Sequence, residues 1–199
     1  LEPDHTAENE NGFYSDSNNE GWRVYEGDLR QVYKTLVVHH SVVDEGDDIL
    51  SLLAIQDLHR QERGWADVAY HYFIGAGGAI YEGRSMEARG THVAGYNTGS
   101  LGVCLIGNFM EALPGAEQLE ALRGLALWLS VRLNLSHLAG HRDFNSITVC
   151  PGDNVYSQIS DLAAYTGLIL GPGGYDGPLP PTPSPEGSSS RNLCPCCHI

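Results

Sequence analysis

The stretch Ala139 to Asp153, Ala-Gly-His-Arg-Asp-Phe-Asn-Ser-Ile-Thr-Val-Cys-Pro-Gly-Asp, sets His141 and Cys150 on either side of a loop. Imidazole nitrogen and thiolate sulfur both suit zinc, and a catalytic zinc takes three protein ligands while keeping one position open. The natural supplier of a third ligand is the pair His39-His40, which ends the apolar run Leu36-Val37-Val38 far upstream. Side chains of neighbours on a strand point to opposite faces, so one member of the pair would face such a centre and the other would not.

Other chemistries lack their parts. Ser41 has no evident His/Asp relay around it, which argues against serine catalysis. The glycines from Gly75 to Gly78 are followed by neither a helix nor a lysine, so they read as a turn and not as a phosphate cradle. His59 and His137 belong to no constellation and are expected at the surface or in packing. Cys104 lies in an apolar run and is expected to be a buried core thiol. Cys194, Cys196 and Cys197 crowd the polar end beside His198, and the five cysteines form no disulfide framework.

The elements that must carry these residues follow from pattern. Leu36 to His39 is short, continuous and β-branched, which suits a strand buried on both faces. The carboxylates from Asp44 to Asp48 favour a helix N-terminus, and Ile49 to Leu58 continues with helical spacing towards a stop near Gly64. Val68–Ile74 and Ala79–Glu82 flank the glycine turn as a hairpin. Residues 83–100 show no sustained period and read as loop. Leu101–Gly107 is a second apolar strand. The clearest helix runs Ala116–Leu133, with Leu119, Leu122, Leu125, Ala126, Leu129 and Leu133 on one side. Leu135–Ala139 should be a short strand delivering His141, and Val155–Leu168 a last, weaker helix. Strands and helices alternate, which predicts an α/β fold with a single mixed β-sheet flanked by helices.

The chain of 199 residues, 42% hydrophobic, supports one sizeable core. Residues 1–34 read as an acidic, partly disordered leader with Phe13, Tyr14, Trp22 and Tyr25 as docking points; residues 35–170 form the domain; the Pro/Gly/Ser-rich residues 171–199 form a tail or linker. Starting at Leu1 without an apolar signal segment, the sequence reads as a mature form or an excerpt. A net charge of −14 repels polyanions and argues against nucleic-acid binding, and no apolar run is long enough to span a membrane.

Six segments recur in an order that resembles a known family: Val37-Val38-His39-His40-Ser41, Asp67-Val68-Ala69-Tyr70-His71-Tyr72-Phe73-Ile74, Thr91-His92-Val93-Ala94-Gly95-Tyr96-Asn97, Ser100-Leu101-Gly102-Val103, Gly107-Asn108-Phe109, and Gly140-His141-Arg142-Asp143 through to Cys150-Pro151-Gly152. Together they are similar to the zinc-dependent N-acetylmuramoyl-L-alanine amidases, the group that contains the bacteriophage lysozyme-type amidases and the peptidoglycan recognition proteins. The resemblance covers residues 35–165 and implies hydrolysis of the amide between N-acetylmuramic acid and L-alanine in peptidoglycan. It implies one catalytic Zn2+ on His39, His141 and Cys150, with His40 turned away. Tyr70 matches the family's active-site tyrosine. Thr148 stands where the phage enzymes carry lysine and many catalytic recognition proteins carry threonine, so it is a candidate catalytic hydroxyl without positive charge. His92, Gly95, Tyr96 and Asn97 match the loop lining the substrate groove. His71 is expected to support the sheet, and Arg142 and Asp143 to serve structure.

Two further readings stay open. A recognition module would bind muropeptide without cutting it, and such members characteristically replace the cysteine that Cys150 retains. A cytosolic recycling amidase would present aspartate at that position. The resemblance favours the enzyme, as a monomer acting on peptidoglycan, secreted or cell-wall associated.

Overall fold

The computed structural model describes residue 25, residues 27–63, residue 65 and residues 67–174. The expected leader up to residue 24, with Phe13, Tyr14 and Trp22, and the tail from residue 175, with Cys194, Cys196 and Cys197, lie outside the described residues.

Strand β1 (Thr35–His40) runs through the middle of a six-stranded sheet. It pairs in parallel with β4 (Ser100–Leu105) on one side and with β5 (His137–Gly140) on the other. Beyond β4 lies β2 (Tyr72–Ile74), also parallel, and then β3 (Ile80–Glu82), antiparallel to β2. Beyond β5 a two-residue strand β6 (Ile169–Leu170) closes the other edge, giving the order β3-β2-β4-β1-β5-β6. This is the mixed sheet that the alternation of elements predicts.

Helices cover both faces, which explains why β1 and β4 are buried at every position. On one face Leu36, Val38, Leu101, Val103 and Leu105 pack against Leu122, Leu125, Ala126 and Leu129 of α3 (Ala116–Leu133) and against Ile159, Leu162 and Ala163 of α5 (Ile159–Thr166). On the other, Phe73, Cys104, Ile106 and Cys150 meet Leu52 and Ile55 of α2 (Asp48–Asp57), with Trp65, Val68 and Tyr70. Helix α2 begins as its carboxylates suggest: Asp47 caps it, its side chain accepting from the backbone N–H groups of Ile49 and Leu50. Its last turn continues as a π-helical segment over Leu58–Glu62.

Three differences from the sequence reading have local causes. The expected strand over Val68–Ile74 is a ladder only from Tyr72, because the backbone before it is engaged elsewhere: Ala69 N–H donates to His59 Nδ1, and Val68 C=O accepts from Arg84 Nε. The expected helix over Val155–Leu168 is two, α4 (Asp153–Tyr156) and α5, separated at Ser157 and Gln158. Packing also begins before Thr35: a four-residue helix α1 (Leu29–Val32) precedes Tyr33, which is fully buried, and Tyr25 leans edge-on against Tyr33 with ring centroids 5.6 Å apart.

Candidate metal centre

His39 leaves β1 on the face shared with Cys104 and Phe73, at the C-terminal end of the strand. His141 opens a 3-10 turn (His141–Asp143) directly after β5, the parallel neighbour of β1. Cys150 arrives from the loop that follows. One donor atom from each of the three lies within 4.8 Å of the others, and all three side chains are buried. Sites at the carboxyl ends of adjacent parallel strands are a general property of such sheets.

The donor set tests well against zinc. In a tetrahedral site with Zn–S about 2.3 Å and Zn–N about 2.0–2.1 Å, two such ligands stand about 3.6 Å apart. Cys150 Sγ lies 3.5 Å from His39 Nδ1. Burial, followed by the neighbouring His141 and His92, pushes the His39 imidazole well below its ordinary pKa. A metal-binding imidazole must be neutral, so the environment favours the form a metal needs.

The loop bearing Cys150 is tied down from several directions. Arg142 N–H donates to Cys150 C=O at 2.9 Å, and the Arg142 guanidinium donates to Val149 C=O. The same guanidinium pairs with Asp153 at 2.7 Å and lies 4.6 Å over the ring of Tyr156. Tyr156 in turn donates its hydroxyl to Asp143 at 2.5 Å, while the other Asp143 oxygen accepts from Gly140 N–H. Arg142 and Asp143 thus serve structure, each with its own partner across the loop. Gly152 has φ 86°, and a Cβ there would stand 2.5 Å from the Phe109 carbonyl carbon, so this corner requires glycine.

Tyr70 is buried beside the cluster, its ring centroid 4.9 Å from that of His39. The Thr148 hydroxyl accepts from Cys150 N–H at 3.1 Å, an arrangement in which it shapes the ligand loop. His40 points to the opposite face, as strand geometry requires, and its Nδ1 accepts from Phe109 N–H. His71 supports the sheet: its Nδ1 accepts from Gly102 N–H and its Nε2 lies 3.0 Å from Ala88 C=O.

The loop from Thr91 to Ser100 divides its residues between inside and outside. Gly95 and Tyr96 are exposed, and the Tyr96 ring meets Phe144 of the cysteine loop with centroids 5.2 Å apart. Asn97 turns inward, its Oδ1 accepting from the N–H groups of His92 and Val93. His92 is 2% exposed and lies beneath His39, with His92 Nδ1 3.0 Å from His39 Nε2. Sequence reasoning missed this imidazole pair, because a segment without period carries no signal for which side chains turn in. The one available hint was the small residues Gly90 and Gly102 on either side of it.

Known proteins are similar to this chain in sequence and in fold. The family described as N-acetylmuramoyl-L-alanine amidase matches residues 29–153. Peptidoglycan-recognition protein LB of Drosophila melanogaster is 33% identical over 139 residues, 66% of this chain and 60% of the fly protein, so the match spans less than two thirds of that relative. The solved structure of N-acetylmuramoyl-L-alanine amidase LysC from Clostridium intestinale is similar with TM-score 0.62 and 28% identity, over 74% of this chain and 94% of that one. Peptidoglycan recognition protein-LE, solved in complex with tracheal cytotoxin (a monomeric diaminopimelic acid-type peptidoglycan), is similar with TM-score 0.60 and 31% identity, over 70% and 86%. With the family matched over residues 29–153, and with relatives and solved structures of both kinds similar to it, the chain belongs to the N-acetylmuramoyl-L-alanine amidase family, whose members include recognition proteins as well as amidases.

Proposed function

We propose that this protein is a zinc-dependent N-acetylmuramoyl-L-alanine amidase that cuts the amide between N-acetylmuramic acid and L-alanine in peptidoglycan. The observation that carries the reading is the complete donor set: His39, His141 and Cys150, from three separate segments, converge within 4.8 Å. When bound there, zinc supplies a Lewis acid for an amide carbonyl and acidifies a water.

The chain's own residues prepare the rest. Burial, the main cause lowering the His39 pKa, favours its neutral imidazole, the form able to bind a metal. Tyr70, packed against His39, is the candidate donor to that developing oxyanion. Thr148 holds the backbone of Cys150 and contributes to the reaction through the ligand's position. Gly95 and Tyr96, exposed on the loop above His92, line the substrate groove, and Asn97 keeps that loop in shape. The substrate places the protein outside the cell or at a cell wall, acting as a monomer. No helix among the described residues is long and apolar enough to cross a membrane.

A binding module that holds muropeptide without cutting it is the second reading, supported by the recognition proteins among the relatives and solved structures to which the chain is similar. The test is zinc content together with release of stem peptide bearing a free L-alanine N-terminus from purified peptidoglycan, for the wild-type chain and for Cys150→Ser. One zinc per chain and cleavage that the variant loses supports the amidase. Muropeptide binding without cleavage selects the recognition module.

A further inference from the structure

His39 has two ring nitrogens and the site uses one of them. Nδ1 faces Cys150 Sγ at 3.5 Å, so Nε2 is directed away from the cluster, and there it meets His92 Nδ1 at 3.0 Å. A ring whose Nδ1 is a ligand carries its proton on Nε2, so His39 must donate and His92 must accept. The surroundings of His92 agree. Its Nε2 lies 3.4 Å from Ser100 C=O and 3.5 Å from Ser100 Oγ, and that hydroxyl spends its own proton on Tyr96 C=O at 2.6 Å. His92 Nε2 therefore has acceptors and needs the proton, leaving Nδ1 as a lone pair aimed at His39.

The ring is held in this orientation by a slot. A Cβ at Gly102 would stand 2.8 Å from His92 Cγ, and one at Gly90 would stand 2.5 Å from His92 Cδ2. Behind it, the His71 ring lies edge-on with centroids 5.8 Å apart, fixed by its own bond from Gly102 N–H. The backbone of His92 is pinned by Asn97 Oδ1 at 2.7 Å.

We propose that His92 is a positioning residue for the metal centre: by accepting the Nε2–H of His39 it fixes the tautomer and rotation that turn His39 Nδ1 towards Cys150. The role usually taken by a carboxylate or a backbone carbonyl behind a metal-binding histidine is filled here by a neutral imidazole. This assignment rests on the zinc reading given above, and it gives His92 a task beneath the pocket instead of on the substrate.

The test compares zinc dissociation constants, by competition with a chromophoric chelator, and the visible spectrum of the cobalt(II)-loaded protein, for the wild-type chain, His92→Leu and His92→Asn. Leucine fills volume without an acceptor; asparagine can place Oδ1 where Nδ1 stands. We expect His92→Leu to weaken zinc by about 10–100-fold and to alter the cobalt bands, and His92→Asn to recover most of both. In the zinc-loaded wild-type chain, imidazole 15N shifts should report His92 protonated at Nε2 and bare at Nδ1, a reading that needs no variant to fold. Unchanged affinity and spectrum in His92→Leu, equal losses in both variants, or a proton on His92 Nδ1 would each overturn the proposal. A wild-type chain that binds no zinc overturns it together with the functional reading, whereas zinc binding with the expected variant pattern but no cleavage leaves it standing and removes catalysis alone.

Discussion

His39 Nδ1 and Cys150 Sγ lie 3.5 Å apart although 111 positions separate them in the chain. Such a pair exists in the folded state and not in an unfolded one, so a metal held between them is coupled to folding. At free zinc 100-fold above its dissociation constant the stabilisation is about 2.7 kcal/mol, which for a domain of this size raises the melting temperature by about 5–10 °C. Calorimetry with zinc and after chelation should show this gap in the wild-type chain and lose it in Cys150→Ser. Equal melting temperatures with and without zinc would remove the coupling.

Tyr70 gives a sharper division between holding metal and doing chemistry. Tyr70→Phe keeps the ring that packs on His39, so zinc content should be unchanged. If its hydroxyl stabilises the oxyanion, cleavage of peptidoglycan should fall by about 10²–10³-fold, the cost of losing one such donor. Stem-peptide release measured beside zinc content decides it, and a variant that cuts normally would assign Tyr70 to packing.

Acid should destabilise the fold through its buried histidines. Burial is the main cause holding the His59 pKa down at about 3, with Arg84 and Arg63 adding to it. The folded protein therefore keeps His59 neutral while the unfolded chain takes up a proton below about pH 6.5. Its contribution is fully present above pH 6.5 and is lost as pH falls towards 3, at up to about 1.4 kcal/mol per pH unit. Between pH 6.5 and 5 the wild-type chain should lose about 2 kcal/mol more than His59→Asn, which keeps an acceptor for Ala69 N–H. Urea unfolding at the two pH values measures the difference, and parallel losses would exclude His59 as the source.

Gly102→Ala tests the slot around His92 from the strand side. Gly102 pairs with Val37 in the middle of the sheet and cannot retreat, so the new methyl group must displace the imidazole. Overpacking of this kind costs about 1–3 kcal/mol, and here weaker zinc binding should accompany it. A variant that is less stable yet binds zinc normally would show that His92 can shift without disturbing His39.

How far these features could be read from the residues depends on the kind of signal each leaves. Strands β1 and β4 are legible because burial on both faces demands continuous β-branched and apolar residues, and α3 because one buried stripe repeats at helical spacing. The candidate ligands stand out because histidines at strand ends and a cysteine in the loop beyond one of them are rare chemistry in an apolar context. Strand β6 left no trace: both residues are exposed, and Ile169 and Leu170 are placed by pairing with β5 and not by a buried face. The inward turns of His92 and Asn97 were equally silent, since they depend on which backbone amides of a loop need partners. The break between α4 and α5 falls at Ser157 and Gln158, which interrupt no hydrophobic pattern.

Burial of β1 on both faces also removes the usual safeguard against misthreading. An amphipathic strand shifted by one residue turns its apolar side to water, but Leu36-Val37-Val38 is nearly indifferent to such a shift. The pair His39-His40 shares that ambiguity, since either frame would offer an imidazole to Cys150. What distinguishes the correct frame is polar: His40 Nδ1 accepts from Phe109 N–H at 3.2 Å, and the Ser41 hydroxyl accepts from Gly107 N–H at 2.9 Å. A slipped strand forfeits both and strands two buried donors. The histidine on the far face thereby helps to fix the register that sets its neighbour His39 beside Cys150.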